Sequence, residues 1–344
     1  MFNHLILLIG TNPLPNFVVA EYFLQNNRQL QKIWLIHSEK NTLQSGTSTQ
    51  AENLERLLKE RWGNHGNLQF PLEKISLTDV SDARAIKNEI KEKMINKMNN
   101  FSGFHFNYTG GTKSMSTHVY WMLKEIKNRG ERSFSYLDAR NYRLVKDDQG
   151  VIADDLRINV TISFENLITL HGFERCNKDG ETDFMGASKK FQEFINSNTN
   201  DNIGDGHFLE VYIAGVLDSK IKNKIKNIEI FQNWKIKKPG WRTDFELDVI
   251  LLHGYHLTGI SCTISADKKT CKMKGFEIIH RTKQIGGDEA RAVLVTGSNA
   301  NQKRILQQEL LYDTGGERNI LVLGKDDLKT GIFVSEIENF MFGT

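Results

Sequence analysis

The stretch FHFNYTGGTKSMSTHVYWMLKEI, Phe104 to Ile126, decides how the first half of the chain is read. An apolar, strand-like run ends at Tyr108, a Gly-rich turn with a lysine follows, and a helical pattern then begins. The phosphate loop G-x-x-x-x-G-K-[ST] does not fit, because Thr112 stands immediately before Lys113 and Asn107 six positions before it. The physics of the turn survives that mismatch. Gly110 and Gly111 permit tight, positive-φ geometry. The amides from Gly111 to Ser114 then lie at a helix N-terminus, an end that attracts anions, and Lys113 adds a full positive charge. A plain strand-to-helix turn with a solvated lysine has the same local pattern.

Working outward, strands and helices alternate. LILLIG (5–10), IWLIHS (33–38), LEKISL (72–77), GFHFNY (103–108) and RSFSYLD (132–138) read as strands. Helical patterns over 16–25, 49–62, 82–98 and 112–128 separate them. That rhythm predicts an α/β fold with a doubly wound, mostly parallel sheet. Ligands of such sheets bind beyond the carboxyl ends of the strands. The loops selected are GTNPLPN after the first strand, HSEKNT after the second and TGGTKSMS after the fourth. Pro13 and Pro15 stiffen the first of these, although Pro15 also suits the start of a helix. No G-x-G-x-x-G follows the first strand, which argues against a nicotinamide dinucleotide.

NYTGGTKSMSTHVY after a fourth strand, with Thr11-Asn12 after the first, resembles the CRISPR-associated Rossmann fold (CARF) domain over roughly residues 1–150. The resemblance implies a homodimer that binds a cyclic oligoadenylate, cyclic tetra-adenylate (cA4) first among them, across its axis. It implies a pocket lined by Thr11, Asn12, Pro13, Ser38, Thr109, Gly110, Gly111, Thr112, Lys113, Met115 and Ser116. A two-fold ligand suits a two-fold dimer, since each protomer then reads half of it. Backbone amides and Lys113 suit the phosphates, and Asn12 and the hydroxyls suit adenine edges or 2′-hydroxyls.

After a less patterned connecting segment, 151–206, which contains the polar linker candidate 198–206, a second unit is expected over 207–344. HFLEVYIAGVLDSK reads as a helix, IEIFQNWKIKK as a strand, and TDFELDVILLHGYHLTGISCTIS as two strands joined at HGYH. A helix over 269–287, a strand, another helix and a final strand follow. The order resembles the PD-(D/E)XK nuclease core, a second α/β domain, over roughly 207–325. The resemblance implies a metal-dependent endonuclease acting on DNA or RNA, with Glu210 and Asp248 as catalytic and metal-holding carboxylates. A divalent ion, Mn²⁺ or Mg²⁺, beside a scissile phosphate needs such carboxylates. Asp248 lies in an apolar strand, where an unpaired carboxylate is costly. One departure stands out: Ser261-Cys262-Thr263 occupies the place of E-x-K. The Cys262 carbonyl remains available to a metal. Glu246, two residues before Asp248, faces the same side of the strand and is a candidate for the missing carboxylate. Lys268, Lys269, Lys272 and Lys274 are candidates for the missing ammonium. The alternative is a cyclic-oligoadenylate sensor whose degenerate nuclease-like domain only binds nucleic acid.

Seven lysines and one arginine between Lys220 and Arg242, against Glu229 and Asp218 nearby, surround Trp234 and Trp241. Basic residues interleaved with aromatics suit a single strand with stacked bases, and they equally suit a solvated face over aromatics of the core. The formal net charge of +3 does not by itself indicate nucleic acid. Charged residues make up 25% of the 344, and the N-terminal apolar run is short with no basic region before it. Neither a membrane span nor a signal peptide is expected. Three cysteines without metal-type spacing suggest a reducing, cytoplasmic compartment.

Overall fold

Five short runs in the first half have strand character, of which the first, second and fourth are almost wholly buried and the third and fifth partly exposed. They become β1 (His4–Leu8), β2 (Lys32–Ser38), β3 (Leu72–Leu77), β4 (Gly103–Asn107) and β5 (Glu131–Asp138). The computed structural model describes residues 2–42, 45–63, 71–98, 103–126, 130–178, 180, 182–197, 204–242, 244–315 and 319–342. Most of the linker candidate, residues 198–203, lies outside the described residues. The chain divides into two units, Met1–Gly172 and Phe173–Thr344.

In the first unit α1 (Leu14–Asn26), α2 (Ser48–Trp62), α3 (Ala83–Lys93) and α4 (Lys113–Glu125) join successive strands. The hairpin β6 (Arg143–Lys146) and β7 (Gly150–Ala153) follows, then α5 (Leu156–Asn159) and α6 (Phe164–Leu170). The sheet order is β3-β2-β1-β4-β5-β6-β7, parallel from β3 to β5 and antiparallel beyond. Strand order therefore reverses between β1 and β4, and a topological switch point opens outside their carboxyl ends. One face of the sheet is closed by α3 and α4 around Trp34, Phe104, Phe106, Ile86, Val119 and Leu123, all fully buried.

A boundary at 150 would cut the β6–β7 hairpin, which extends the sheet. Residues 151–206 are also not a single connecting segment. β7, α5 and α6 belong to the first unit, where Asn53 of α2 donates to the Leu170 carbonyl at the end of α6.

The second unit continues with β8 (Glu174–Arg175), α7 (Phe184–Asn196), α8 (His207–Ile221), β9 (Ile228–Lys237), β10 (Asp244–His253) and β11 (His256–Cys262). It closes with α9 (Lys268–Gly286), β12 (Arg291–Val295), α10 (Ala300–Asp313), β13 (Ile320–Leu323), α11 (Lys325–Thr330) and α12 (Phe333–Phe342). The sheet runs β13-β12-β11-β10-β9-β8, antiparallel from β8 to β11 and parallel from β11 to β13. Apolar residues surround α8 on several sides: Phe208, Leu209, Val211, Ile213, Ala214, Leu217 and Ile221 are all buried. This is a central helix, not one with a single apolar stripe. Its neighbours in the core include Val249, Leu251, Ile260 and Cys262 from the strands and Phe333 and Ile337 from α12. The antiparallel register Val249↔Ile260 carries Asp248 beside Ser261.

Candidate functional site

At the switch point of the first unit the glycines are required. A Cβ on Gly110 would lie 1.9 Å from the Leu8 carbonyl oxygen, and Gly111 has φ +74°. Asn16, fully buried, donates from Nδ2 to the same Leu8 carbonyl at 2.8 Å and so fixes the start of α1 against the end of β1. Thr112 caps α4, its Oγ1 accepting from the Met115 amide at 3.2 Å. Lys113, the first residue of α4, is exposed and makes no ion pair among the described residues. Unpaired amides, the helix N-terminus and a free ammonium thus meet in one turn, as an anion site requires.

The other expected pocket residues divide by environment. Thr11 is exposed and Asn12 half-buried. Asn12 Oδ1 accepts from the Leu14 amide at 3.0 Å and lies 3.1 Å from His171 Nε2. Ser38 and Pro13 are buried, and the Ser38 hydroxyl is 3.2 Å from Thr47 Oγ1. Thr109 Oγ1 accepts from the Leu137 amide at 2.7 Å. Ser116 donates back to the Gly110 carbonyl at 3.2 Å. Met115 belongs to the apolar core beneath Gly111. Thr11, Thr112 and Lys113 are exposed at the mouth of this turn, whereas the Asn12 and Thr112 side-chain oxygens already serve the starts of α1 and α4. Ser38, Thr109, Met115 and Ser116 hold the loops. His171 carried no signal in the sequence, since its partner is 159 positions away. Burial lowers its pKa to about 4, so the ring is neutral at physiological pH.

In the second unit α8 brings Glu210, β10 brings Asp248 and β11 brings Ser261 and Cys262 to one place. Asp248 Oδ2 accepts from the Cys262 amide at 2.7 Å and from the Ser261 hydroxyl at 3.1 Å. The residue standing where a glutamate was expected is thus a donor to Asp248 instead of a third carboxylate. Glu210 Oε2 is 2.8 Å from His207 Nδ1. Burial first, and then the Asp248 charge, push the Glu210 pKa up to about 7, against the opposing pull of His207. Burial also raises the Asp248 carboxyl, which the Cys262 amide, Lys274 and Ser261 partly offset. The Cys262 side chain packs into the core and burial drives its thiol pKa well up, so only its backbone serves the site. Glu246 is exposed and acts on Glu210 as a more distant negative charge.

The lysines separate as clearly. Lys268 and Lys272 of α9 are committed to Glu309 of α10, and Lys272 also to Asp313. Lys274 instead points to the strands, its Nζ 3.4 Å from the Cys262 carbonyl oxygen, and its charge acts on Asp248. Of Lys268, Lys272 and Lys274, it is the one whose ammonium lies beside Asp248 and Cys262. The two tryptophans also part company: Trp234 is 5% exposed beneath Arg175, whereas Trp241 is 57% exposed near Lys238 at the β9–β10 turn.

No group of three or more His, Cys, Asp or Glu side chains forms a metal cage among the described residues. The donor set that remains is two crowded carboxylates, each with its pKa raised by burial, plus a backbone carbonyl. Hard oxygen donors with unfavourable mutual charge suit Mg²⁺ or Mn²⁺. The cysteines are free thiols, Cys176 exposed and Cys262 and Cys271 buried. No described helix is long and apolar enough to cross a membrane.

This carboxylate pair makes a stability prediction for protein kept in chelator. Glu210 titrates near 7 folded and near 4.5 unfolded. Between those values the folded state holds a proton that the unfolded state has lost, so the Glu210 contribution to stability falls as pH rises through that window. Glu210→Gln removes the loss. The variant should match wild type near pH 4.5 and exceed it above pH 7 by up to about 3 kcal/mol. Melting curves from pH 4 to 8 test this, and parallel curves for the two proteins would refute it.

Residues 4–161 match the Card1 CARF domain. The CARF match covers the sheet and both loops of the switch point. No curated protein matches the sequence. Among solved structures the whole chain is similar to protein VC1899 from Vibrio cholerae, at 14% identity and TM-score 0.69, with 98% of each chain covered. Can2 from Sulfobacillus thermosulfidooxidans, solved with cyclic tetra-adenylate, aligns at 15% identity and TM-score 0.61, covering 96% of this chain and 98% of its own. A type III CRISPR defence DNA nuclease activated by cyclic oligoadenylate aligns at 15% identity and TM-score 0.55, over 86% of this chain and 45% of its own. At these identities the likeness is one of fold.

Proposed function

We propose that this chain is a homodimeric effector of type III CRISPR defence, a metal-dependent nuclease activated by a cyclic oligoadenylate such as cA4. The observation that carries the enzymatic half is the convergence of Glu210, Asp248, the Cys262 carbonyl and Lys274 from four separate elements. The sensing half rests on the CARF match and on the Gly110–Lys113 turn at the switch point. The likeness to Can2 and to the CRISPR defence nuclease supports both.

Glu210, Asp248 and the Cys262 carbonyl would hold a divalent ion. When bound, the ion would activate water and stabilise charge developing on the phosphate. Ser261 and the Cys262 amide fix one Asp248 oxygen and leave the other free. Lys274 offers an ammonium beside the same carbonyl, where it stabilises negative charge on the phosphate. His207 Nδ1 contacts Oε2 of Glu210 and orients that carboxylate. Ligand in the first unit biases a pre-existing equilibrium toward the active dimer.

The deciding experiment is cleavage of supercoiled DNA and of single-stranded RNA, with and without cA4, in Mn²⁺ or Mg²⁺. Cleavage that needs both ligand and metal is expected. The second reading, a sensor that only binds nucleic acid, is favoured by Ser261 and Thr263 at the two positions expected to be acidic and basic. Ligand-dependent nucleic-acid binding without cleavage under any metal would establish it.

For the sensing half, Lys113→Ala should weaken cA4 binding by about 1.5–3 kcal/mol per protomer, one charge-assisted contact each, without altering the melting temperature. Calorimetry should give one ring per two chains. An unchanged affinity would remove the ligand from this turn.

A further inference from the structure

A cavity of about 900 Å³ lies beside the carboxylates of the second unit, and the proposed cleavage chemistry leaves it unused. Its walls come from Asn177, Lys178, Gly180 and Thr182 before α7, from the start of α7, from α8 and from β9 and β10. Two wall residues tie it to the site: His207, which binds Glu210, and Glu246, on the same face of β10 as Asp248.

The opposite walls are of a different kind. Phe184 is 42% exposed, and its ring rests on Gly215, where a Cβ would come within 2.4 Å of it. The ring lies parallel to Tyr212, at 3° with centroids 6.0 Å apart, and Tyr212 in turn stacks on Phe191 at 3.6 Å. Phe184 is thus the outer member of a row of near-parallel aromatic rings. Gln232 and Asn233 of β9 also line the cavity, and Gln232 Oε1 and Asn233 Oδ1 are buried without a hydrogen-bond partner. An unmet acceptor is costly, and the terminal torsion of an amide is broad enough to turn it toward an incoming donor. Lys178 stands exposed on the wall.

We infer that this cavity is a nucleobase subsite for the strand to be cut, with Phe184 as stacking platform and Gln232 and Asn233 as readers of the base edge. Aromatic faces accept any base, whereas amide side chains discriminate between base edges by paired donor and acceptor. His207 and Glu246 connect the cavity to the carboxylates, so a strand whose phosphate is held at Glu210 and Asp248 would extend into it, and Lys178 suits an adjoining phosphate. The inference rests on the nuclease reading for the identity of the strand.

The test measures binding, so it does not depend on turnover. Full-length protein in chelator, with and without cA4, is titrated against labelled oligothymidylate, oligoadenylate and an abasic deoxyribose-phosphate oligomer of equal length. Wild type should bind the base-bearing strands about tenfold or more tighter than the abasic one. Phe184→Ala should remove most of that difference and leave abasic binding unchanged, and Phe184→Trp should restore it. Phe184→Leu keeps apolar volume without a π face and carries the test should the alanine variant unfold. Gln232→Ala and Asn233→Ala should alter the ratio between the two bases. Equal binding of abasic and base-bearing strands by wild type, or no effect of Phe184→Leu, overturns the subsite. Base-dependent binding through Phe184 in a protein that never cleaves would uphold the subsite and sink the nuclease reading. Cleavage together with base-independent binding would do the reverse.

Discussion

Asp248→Asn is expected to abolish activated cleavage, by about a thousandfold or more, which corresponds to roughly 4 kcal/mol of barrier. The amide keeps the size of the side chain and an oxygen for the Cys262 amide and the Ser261 hydroxyl, so the local hydrogen bonds can persist. What disappears is the charge. Asp248 lies in a strand whose neighbours Leu247, Val249 and Ile250 are fully buried, and burial raises its pKa. A carboxylate kept at such a place against its solvation energy is explained by something it must bind. The same reasoning makes the variant at least as stable as wild type in chelator at pH 8, because an unfavourable buried charge has gone. Melting curves and a cleavage time course with cA4 and Mn²⁺ measure both effects. A residual rate within tenfold of wild type would remove Asp248 from the chemistry.

The fold of the first unit was legible because its central strands are apolar runs, its outer ones alternate, and its turns carry Gly, Pro and Asn, signals that act locally. Pocket residues were only partly legible. Gly110, Thr112 and Lys113 declare themselves through turn chemistry. Ser38 and Met115 cannot, because whether a serine or methionine beside a loop faces ligand or core depends on neighbours such as Thr47 and Gly111 that pattern does not place. The boundary near 150 was misplaced for a related reason. A short hairpin reads alike whether it extends a sheet or connects two domains, and only the β5–β6 pairing decides. In the second unit Glu210 and Asp248 follow from element order. The aromatic stack beneath Phe184 and the final helix α12 do not, since both depend on packing between segments far apart in sequence.

The missing lysine of the second unit shows what three dimensions add, and it carries the other large effect. Four lysines between positions 268 and 274 were equal candidates in the sequence; Lys269 is exposed, and helix phase separates Lys268 and Lys272 from Lys274. Lys268 and Lys272 are four apart and share the face turned to Glu309. Lys274 is three residues after Cys271 and four before Ile278, both buried, so it lies along the side of α9 that meets the strands. Lys274→Met should keep much of the aliphatic volume and lower kcat about a hundredfold, near 3 kcal/mol, with little change in KM for the nucleic acid. That pattern marks charge stabilisation in the transition state and not ground-state binding. Lys272→Met and Lys268→Met break exposed ion pairs worth no more than about 1 kcal/mol of stability and should leave the rate near wild type. Lys274→Arg should recover only part of the activity, because a planar fork replaces a compact ammonium. The comparison also guards against a trivial loss of nucleic-acid affinity, since all the variants remove or alter one cation on the same helix. If Lys274→Met and Lys272→Met fall together, or neither falls, the ammonium at the Cys262 carbonyl has no part in cleavage, and the displaced-lysine reading of this site is wrong.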